Sequence, residues 1–428
     1  MKKTENIVSA AEELKFAAFV GIDWADRKHL WCLQEAGSDQ RETRELEHTP
    51  ENVDIWASQL CQRFPGRPIA VALEQSRGAL VFLLSKYEQL QLYPVLPQMV
   101  ARIREALYPS KAKDDPRDTE LILDILLQHG KHLRRLSPDT EATRVVQGLV
   151  EERRTLVDEK TALSNRLTAK LKIYFPQMLD WFPGLDSVVA YALLQQWPSL
   201  SQMQQVSSGR LRTFLRKHRC YQEKIIERRI QQIREAKPAL GDQAVAQVQA
   251  EIVPVLAGLL RQLSLGLDEL ERKIAKVSAE HPDFSLFADL PGAGAALAPR
   301  LLAAFGSQRE RYQSAKEISS FSGIAPVTQS SGKKHWVHIR KACPKFLRQS
   351  FHEWAGQTIR FCPWARAFYQ LQRNRGKGHH AAVRALAAKW IRILYRCWKD
   401  RVPYDESIYT AALARRQSPL VPAAVKIL

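Results

Sequence analysis

The chain has few cysteines and no long apolar runs, and each of these absences argues against one class of protein. Its 428 residues include only six cysteines, none in a Cys-x-x-Cys pair, which argues against a zinc site or a disulfide framework. No stretch approaches the roughly 20 uncharged apolar residues that a membrane-spanning helix needs. The charged start Met1-Lys2-Lys3 is not followed by an apolar signal core. We therefore expect a cytoplasmic protein with no membrane partner.

Acidic residues are also scarce, and most of the imbalance lies near the C-terminus. The chain has 64 Lys and Arg against 45 Asp and Glu, a formal net charge of +19. Residues 331–401 contain 17 Lys and Arg but only Glu353 and Asp400 as acids. Basic charge this concentrated indicates a polyanionic partner. A second basic stretch, between Arg210 and Arg229, is explained equally well as a solvated helix face.

The first part of the chain alternates strand and helix patterns, which predicts an α/β domain with mixed strand directions. The predicted strands lie near 16–22, 29–35, 68–74 and 91–96, and the predicted helices near 50–63, 78–88 and 97–107. A chain of this length is ample for several cores. We predict three domains, 1–132, 133–283 and 284–428, of which the last is mainly helical.

Heptad spacing marks the middle domain as helical. Leucines recur every seven residues through 140–174, and a longer seam steps by four and three from Leu256 to Val277. Such a seam is typical of a coiled coil. It fits pairing with the 140–174 helix or with a second copy of the chain, and we favour a role in dimerisation. The weaker helical stretches through 237 form an insert between the two.

Four carboxylates stand where secondary structure would let them converge. Asp23 closes the apolar run 16–22, and Glu74 follows the run 68–73. Asp115 and Asp118 begin a helix pattern, and their spacing puts both on one helix face. Hard cations such as Mg²⁺ prefer carboxylate oxygen, and paired metal ions clamp a phosphoryl transfer.

Each acid also has an ordinary explanation. Asp23 could simply end a strand, Glu74 could be a solvated loop acid, and Asp115 with Asp118 could cap a helix. The metal-site hypothesis is stronger because all four occur together.

Two further motifs lie in the last domain. Gly292 and Gly294 precede a predicted helix, and exposed backbone N–H groups at such a turn bind DNA phosphates. Ser331 is followed by Gly332 in a predicted loop with Lys333, Lys334, His335 and Arg340. Cationic side chains there could assist a serine hydroxyl against a phosphodiester, although a flexible polar turn explains the same residues.

Taken in order, these motifs resemble transposases of insertion sequences that join a RuvC-like DEDD domain to a C-terminal domain with a catalytic serine. Relatives of that family are the invertase Piv and the bridge-RNA-guided recombinases. Gly21-Ile22-Asp23, Leu73-Glu74-Gln75 and Lys113-x-Asp115-x-x-Asp118 match the acidic motifs. Leu290-Pro291-Gly292-x-Gly294 and Ser331-Gly332 match the serine domain.

The resemblance implies a RuvC or ribonuclease H-like mixed sheet, a long helical coiled-coil insert and a mainly helical transposase domain. It further implies that Asp23, Glu74, Asp115 and Asp118 bind Mg²⁺, or alternatively Mn²⁺, and that Ser331 forms a covalent protein–DNA intermediate. The implied partners are element-end and target DNA, a guide RNA, and further copies in a homodimer or homotetramer. The implied setting is a bacterial cytoplasm, in association with the nucleoid. Expected nucleic-acid contacts are Gly292, Gly294, Lys333, Lys334, Arg340, Arg348, Arg373, Arg375 and Lys377.

The motifs leave some assignments open. Asp114 stands where the family has threonine and could replace Asp115 as a ligand, and Ser330 could replace Ser331. The basic segment after Ser331-Gly332 is one residue shorter than usual, with Val337 and Cys343 near positions that are often glycine. A RuvC-like junction resolvase or a DEDD exonuclease would use metal-activated water and no serine. The same residues would also suit a nucleic-acid-binding protein without activity, or a serine recombinase without a metal site.

Overall fold

The computed structural model describes residues 16–108, 115–239, 242–332 and 334–420. The chain divides into two compact units, Met1–Pro138 and Asp139–Leu428. The predicted boundary at 283/284 therefore falls inside the second unit. Asp114 and Lys333 lie outside the described residues, as does the side chain of Asp115.

A mixed sheet forms the centre of the first unit. In its described part the strands are β1 (Ala18–Asp23), β2 (Lys28–Glu35), β3 (Arg41–Glu47), β4 (Ile69–Leu73) and β5 (Leu90–Pro94). Their order is β3-β2-β1-β4-β5, with β1, β2 and β3 antiparallel and β1, β4 and β5 parallel. This mixed α/β arrangement is compatible with the ribonuclease H-like fold that the resemblance implies.

Helices cover this sheet. They are α1 (Pro50–Arg63), α2 (Ala79–Leu84), α3 (Pro97–Leu107) and α4 (Asp115–His129). Thr49 begins α1 by accepting a hydrogen bond from the Asn52 N–H, with Pro50 in the first turn. The four predicted strands and three predicted helices are confirmed to within a few residues, although α2 is shorter than its pattern suggested.

The sequence pattern did not predict β3. This strand, Arg-Glu-Thr-Arg-Glu-Leu-Glu, buries only Leu46 and lies at the edge of the sheet. Charged side chains on an edge strand hinder pairing with other chains, so this strand lacks an apolar pattern. Its identity as a strand comes from pairing with β2, which the local sequence does not reveal.

The second unit is built on two long helices, α5 (Glu141–Tyr174) and α11 (Gln243–Ala279). They are antiparallel: Arg153 in the first half of α5 donates from Nε to Glu271 in the second half of α11, at 2.9 Å. Between them lie the short helices α6 (Gln177–Trp181), α7 (Val188–Gln196), α8 (Leu200–Gln205), α9 (Ser208–Lys217) and α10 (Glu223–Glu235). The predicted insert is therefore a helical subdomain on a helical hairpin.

Four residues of the α11 heptad seam are buried inside the chain: Leu256, Leu260, Leu267 and Ile274. Leu256 and Leu260 share a core with Leu167 of α5, and Ile274 shares another with Val146. The expectation that this seam joins two copies is therefore wrong for these residues, because α5 and the insert already cover them. By length and composition alone, Ala244–Ala279 could cross a membrane, but buried seams of this kind are also found in core helices.

The rest of the second unit is mainly helical, as predicted. Its helices are α12 (Ser285–Ala288), α13 (Gly294–Phe305), α14 (Ala315–Phe321), α15 (Lys345–Phe361), α16 (Pro363–Asn374), α17 (His379–Asp400) and α18 (Glu406–Arg415). Their core contains Trp354, Trp364, Trp390 and Trp398, all fully buried, and extends to the start of α5. The indole N–H groups are paired: that of Trp390, for example, donates to Thr358 Oγ1 at 3.0 Å.

Candidate functional site

Asp23 and Glu74 lie next to each other at the carboxyl edge of the parallel strands. β1 and β4 pair in register, with Ile22 opposite Leu73, and the two acids are the next residues on their chains. Both strands are buried over their apolar residues, whereas both acids are half-buried at the strand ends. Adjacent parallel strands lie about 4.8 Å apart, so the two acids occupy neighbouring strand ends despite their separation in sequence.

Gly21 brings α4 onto the same strand. A Cβ built on Gly21 would lie 2.6 Å from the Leu123 backbone nitrogen and 2.7 Å from the Thr119 carbonyl oxygen. The helix backbone therefore rests directly on β1, and no side chain fits between them. This contact fixes the first turns of α4, including Asp118, next to the strand that ends at Asp23.

Asp118 is buried, at 3% exposure, and carries an ion pair with Arg104 of α3. Arg104 Nε lies 2.8 Å from Asp118 Oδ1. The N–H does not point at that oxygen, so Oδ1 receives no hydrogen bond from the described residues. The contact is therefore a charge pairing that leaves one buried carboxylate oxygen without an aligned donor.

The acids fit a hard cation in chemistry, but the described side chains of Asp23, Glu74 and Asp118 are not gathered around one point. Among the described residues no three His, Cys, Asp or Glu side chains are close enough to hold a metal ion. Asp23 and Glu74 are adjacent, while Asp118 faces Arg104. The feature that suits a cation is the buried Asp118 Oδ1, which has no aligned hydrogen-bond donor among the described residues, since carboxylate oxygen is what Mg²⁺ prefers.

A histidine pair secures the turn after Asp23. His29 is fully buried, its Nδ1 accepts from the Ala25 backbone N–H at 3.2 Å, and its Nε2 lies 2.6 Å from His48 Nδ1. Burial and the neighbouring His48 lower the pKa of His29 to about 4. The neutral ring accepts at Nδ1, so its Nε2–H donates to His48. This pair holds the β1–β2 turn, and with it the end of the strand that carries Asp23.

Ser331 lies in the second unit at the tip of a β-hairpin, which corrects the predicted loop. The hairpin consists of β6 (Val327–Ser331) and β7 (Lys334–His338), joined at Gly332, which has φ +54°. Ser331 pairs across the strands with Lys334, and Ser330 pairs with His335. Side chains alternate along a strand, so Ser330 and Ser331 face opposite sides. Both serines are exposed.

The hairpin is anchored at its base. Gly323 has φ +71°, and a Cβ there would lie 2.3 Å from Cys343 Sγ, so the segments before and after the hairpin are in close contact. Arg348 of α15 donates to the Arg340 carbonyl oxygen at 3.2 Å. These contacts hold the base of the hairpin, whereas the described residues at its serine end are exposed to solvent.

Both glycines of the glycine turn adopt a left-handed backbone conformation. Gly292 and Gly294 have φ of +71° and +54°, and α13 begins at Gly294 without a side-chain cap. A Cβ on Gly292 would lie 2.9 Å from Phe361 and 3.1 Å from Gln357, so this glycine is also needed for packing on α15.

Several of the basic residues that we expect to contact nucleic acid form hydrogen bonds within their own segment. Arg373 donates to the Lys377 carbonyl oxygen at 3.2 Å, and Lys377 Nζ donates to Gln372 Oε1 at 2.7 Å. Arg375 directly follows α16 and is exposed. In the middle basic stretch, Arg212 and Arg216 form ion pairs with Glu223. That stretch is therefore partly neutralised within the chain.

Sequence reasoning missed three residues near these sites. Arg104 sits on a helix whose pattern singles out no cation, and His29 looks like any polar residue at a strand start. Trp336, on the same hairpin as Ser331, is 49% exposed. An aromatic residue inside a strongly basic segment was the available signal for Trp336.

Comparison with known proteins assigns both units to one kind of enzyme. The protein-family model for transposases of the IS110 DEDD type matches residues 20–176, which contain all four acids. A model of the transposase IS116/IS110/IS902 family matches residues 285–370, which contain Ser331.

Similar proteins come from bacterial insertion elements. The chain is 28% identical over 423 residues to the candidate mini-circle transposase for IS117 of Streptomyces coelicolor, covering 96% of this chain and 99% of the relative. The 43.6 kDa protein of insertion element IS110 from the same organism is 28% identical over 72% of this chain and 76% of its own length. The 42 kDa protein of insertion element IS900 from Mycobacterium paratuberculosis is 25% identical over 81% and 87%. The chain belongs to the IS110/IS116 family of transposases.

Proposed function

We propose that this transposase is a recombinase that excises and inserts its own mobile element through a covalent serine–DNA intermediate. The observation that carries the proposal is the adjacency of Asp23 and Glu74, with α4 seated on Gly21 beside them. A mixed sheet that gathers acids at its parallel carboxyl edge suits phosphate chemistry. The basic hairpin that presents Ser331 supplies the second half of the proposal.

The proposed metal ligands are Asp23, Glu74, Asp118 and Asp115, with Mg²⁺ or Mn²⁺ as the cation. Such a cation, when bound, offsets the negative charge of the phosphate group that is attacked. The chain's own contribution is to hold the ligands: β1 and β4 fix two carboxylates, and Gly21 fixes the helix that brings the others. Arg104 keeps the charge of Asp118 paired in its buried position.

In the proposed reaction Ser331 attacks a DNA phosphodiester. A bond forms between Ser331 Oγ and phosphorus, and the bond from phosphorus to one deoxyribose oxygen breaks. The serine proton is released and the freed deoxyribose hydroxyl gains one, so the step needs neither net proton nor cofactor energy. Attack by another DNA hydroxyl reverses it and rejoins the strands. Lys334, the cross-strand partner of Ser331, offsets phosphate charge at the hairpin tip.

A guide RNA is part of the proposal, as are two or four copies of the chain. The support for a second nucleic acid is the size of the positive charge, +19 overall and strongest in the last third. In such a system base pairing selects the DNA site, while the protein holds backbone and shape.

Covalent capture on labelled element-end DNA tests the nucleophile. Purified protein, with and without the element's flanking noncoding RNA, is incubated with the DNA in Mg²⁺ and separated by denaturing electrophoresis. Ser331→Ala should lower adduct formation by about a thousandfold or more, because no other oxygen replaces the serine. Ser330→Ala is the matched control, since that side chain faces the other side of the same strand, and it should retain the adduct.

The same experiment distinguishes a junction resolvase from the proposed recombinase. A resolvase would cut DNA with water, so Ser331→Ala would leave cleavage intact and the wild-type protein would form no adduct. Asp23→Asn should abolish adduct and cleavage in either case. Undiminished recombination by Asp23→Asn would refute the metal role.

A further inference from the structure

The hairpin that carries Ser331 also presents an exposed tryptophan on the same face. In the pairing of β6 with β7, Ser331 lies opposite Lys334 and Gln329 lies opposite Trp336. Positions two residues apart on a strand point to the same side. Ser331, Lys334 and Trp336 therefore share one face, whereas Val337 and His335 point to the other.

Among the residues that the structure describes, no protein core lies beneath this face. Every described residue of β7 is exposed, and on β6 only Val327 is half-buried. Trp336 is 49% exposed and Val337 67% exposed. A two-stranded hairpin is at best marginally stable in water, so apolar side chains on both faces favour a partner that covers them.

Charge identifies the class of partner. From Ile318 to His352 the chain has no Asp or Glu, while it has six Lys and Arg. Protein surfaces of mixed charge do not complement such a segment, but a phosphate backbone does. An indole beside those cations stacks on nucleobases, which is how aromatic side chains bind single strands.

We propose that Trp336 stacks on an unpaired DNA base one or two nucleotides from the phosphate attacked by Ser331, and so positions that phosphate. The step from Lys334 to Trp336 is about 7 Å along the strand, or two base rises of about 3.4 Å. The base must be unpaired, because a base inside a duplex offers its faces only to its neighbours. This inference rests on the proposed function for the identity of the strand, but base stacking itself can be measured without any chemistry.

The test measures DNA binding by the full chain carrying Ser331→Ala, which removes the proposed chemistry. The probes are a thymidine oligonucleotide of about 20 nucleotides and an abasic strand with the same number of phosphates. The parent should bind the thymidine strand roughly 5- to 150-fold more tightly than the abasic strand. Trp336→Ala should remove most of that preference and leave affinity for the abasic strand unchanged.

Three variants keep the result interpretable. Trp336→Phe should retain the preference, because phenylalanine also stacks. Val337→Ala, on the opposite face of the same strand, should retain it as well. Lys334→Gln should weaken binding to both strands alike, since it removes charge and no stacking surface.

Fluorescence supplies a direct signal. Of the ten tryptophans, all within the described residues, eight are buried, and only Trp24 and Trp336 are substantially exposed. Thymidine strands should quench the parent more than Trp336→Phe, and the difference isolates Trp336. Equal base preference in the parent and in Trp336→Ala would overturn the assignment. Stronger quenching of the parent by a uridine strand than by the thymidine strand would overturn it as well, because the partner of Trp336 would then be RNA.

Failure of the inference and failure of the proposed function remain distinguishable. If the base preference depends on Trp336 but Ser331→Ala still forms the adduct, the nucleophile is wrong and the stacking stands. If Ser331 is required for the adduct but Trp336→Ala changes neither base preference nor quenching, the stacking proposal is wrong and the nucleophile stands.

Discussion

Arg104 Nε lies 2.8 Å from Asp118 Oδ1, and this pair joins α3 to α4 next to the candidate metal site. Asp118 is 3% exposed, so its negative charge needs a cation nearby. Arg104 supplies that charge in the structure, and a divalent ion would supply it in the proposed active state. In the proposed active state, the arginine would therefore compete with the metal ion for Asp118.

Arg104→Gln should make the first unit depend on metal. Without the guanidinium, a buried carboxylate is left unpaired, and the free energy of unfolding should fall by about 3–5 kcal/mol in chelator. Millimolar Mg²⁺ should restore part of it, because a ligand that binds only the folded state stabilises that state. Hydrogen–deuterium exchange of peptides from β1 and α4 measures the change.

The control for this prediction is Arg102→Gln, on the exposed side of the same helix. It should leave exchange unchanged in chelator and in Mg²⁺. If Arg104→Gln lost the same stability in both solutions, Mg²⁺ would not act at Asp118, and the metal-site proposal would lose its support from this residue.

Gly21→Ala should displace α4 from β1. The added Cβ would lie 2.6 Å and 2.7 Å from backbone atoms of α4, and backbone cannot rotate away as a side chain can. Overpacking of this kind costs about 1–3 kcal/mol, and the shift moves Asp118 relative to Asp23. The yield of covalent adduct should therefore fall by more than the loss of folded protein alone would cause. Gly130→Ala, in the same unit and with open space around its Cβ, should change neither adduct yield nor exchange.

The parts of the fold that the sequence predicted are those with a strong local pattern. The buried runs ending at Asp23 and Glu74 are continuous apolar segments, which identify central strands without knowledge of their neighbours. Because both acids lie at or next to strand ends, the sequence also indicated that neighbouring strands could bring them together. The register of β1 with β4 places the two acids side by side, as expected from their positions at strand ends.

Features that depend on pairing could not be predicted in this way. β3 is a strand only because β2 pairs with it, and the hairpin of Ser331 has polar residues on both faces that suit a loop equally well. The heptad pattern of α11 specified a buried seam but not its partner. Burial beneath α5 and the insert, which decided that question, is a property of the folded chain.

His29 should make the first unit less stable in mild acid. Its pKa in the folded state is about 4, below the ordinary 6.5 of histidine, so the unfolded chain binds the proton more readily. Above pH 6.5 both states are neutral, and as pH falls from 6.5 to 4 stability should drop by up to about 3 kcal/mol. Exchange of β1 and β2 peptides, corrected for the intrinsic effect of pH, measures the loss.

Two substitutions identify the source of that pH dependence. His29→Gln should flatten the slope between pH 6.5 and 4, because glutamine does not titrate. His132→Gln, at an exposed position of the same unit, should leave the slope as it is. A slope that persisted in His29→Gln would place the titrating group elsewhere.

Leu259 and Leu260 are neighbours on α11 that distinguish an internal seam from a contact between copies. Leu260 is fully buried with Leu256 and Leu167, whereas Leu259 is 50% exposed. Leu260→Ala should lower the free energy of unfolding by about 2–5 kcal/mol through the cavity it leaves. Leu259→Ala should change it by no more than about 0.5 kcal/mol. Urea unfolding of the full chain, with exchange of α5 and α11 peptides, measures both.

If the seam instead joined two copies, Leu260→Ala would make the sedimentation coefficient depend on concentration. Because α5 already covers Leu260, we expect the Leu260→Ala variant to sediment like the unaltered chain while its free energy of unfolding falls.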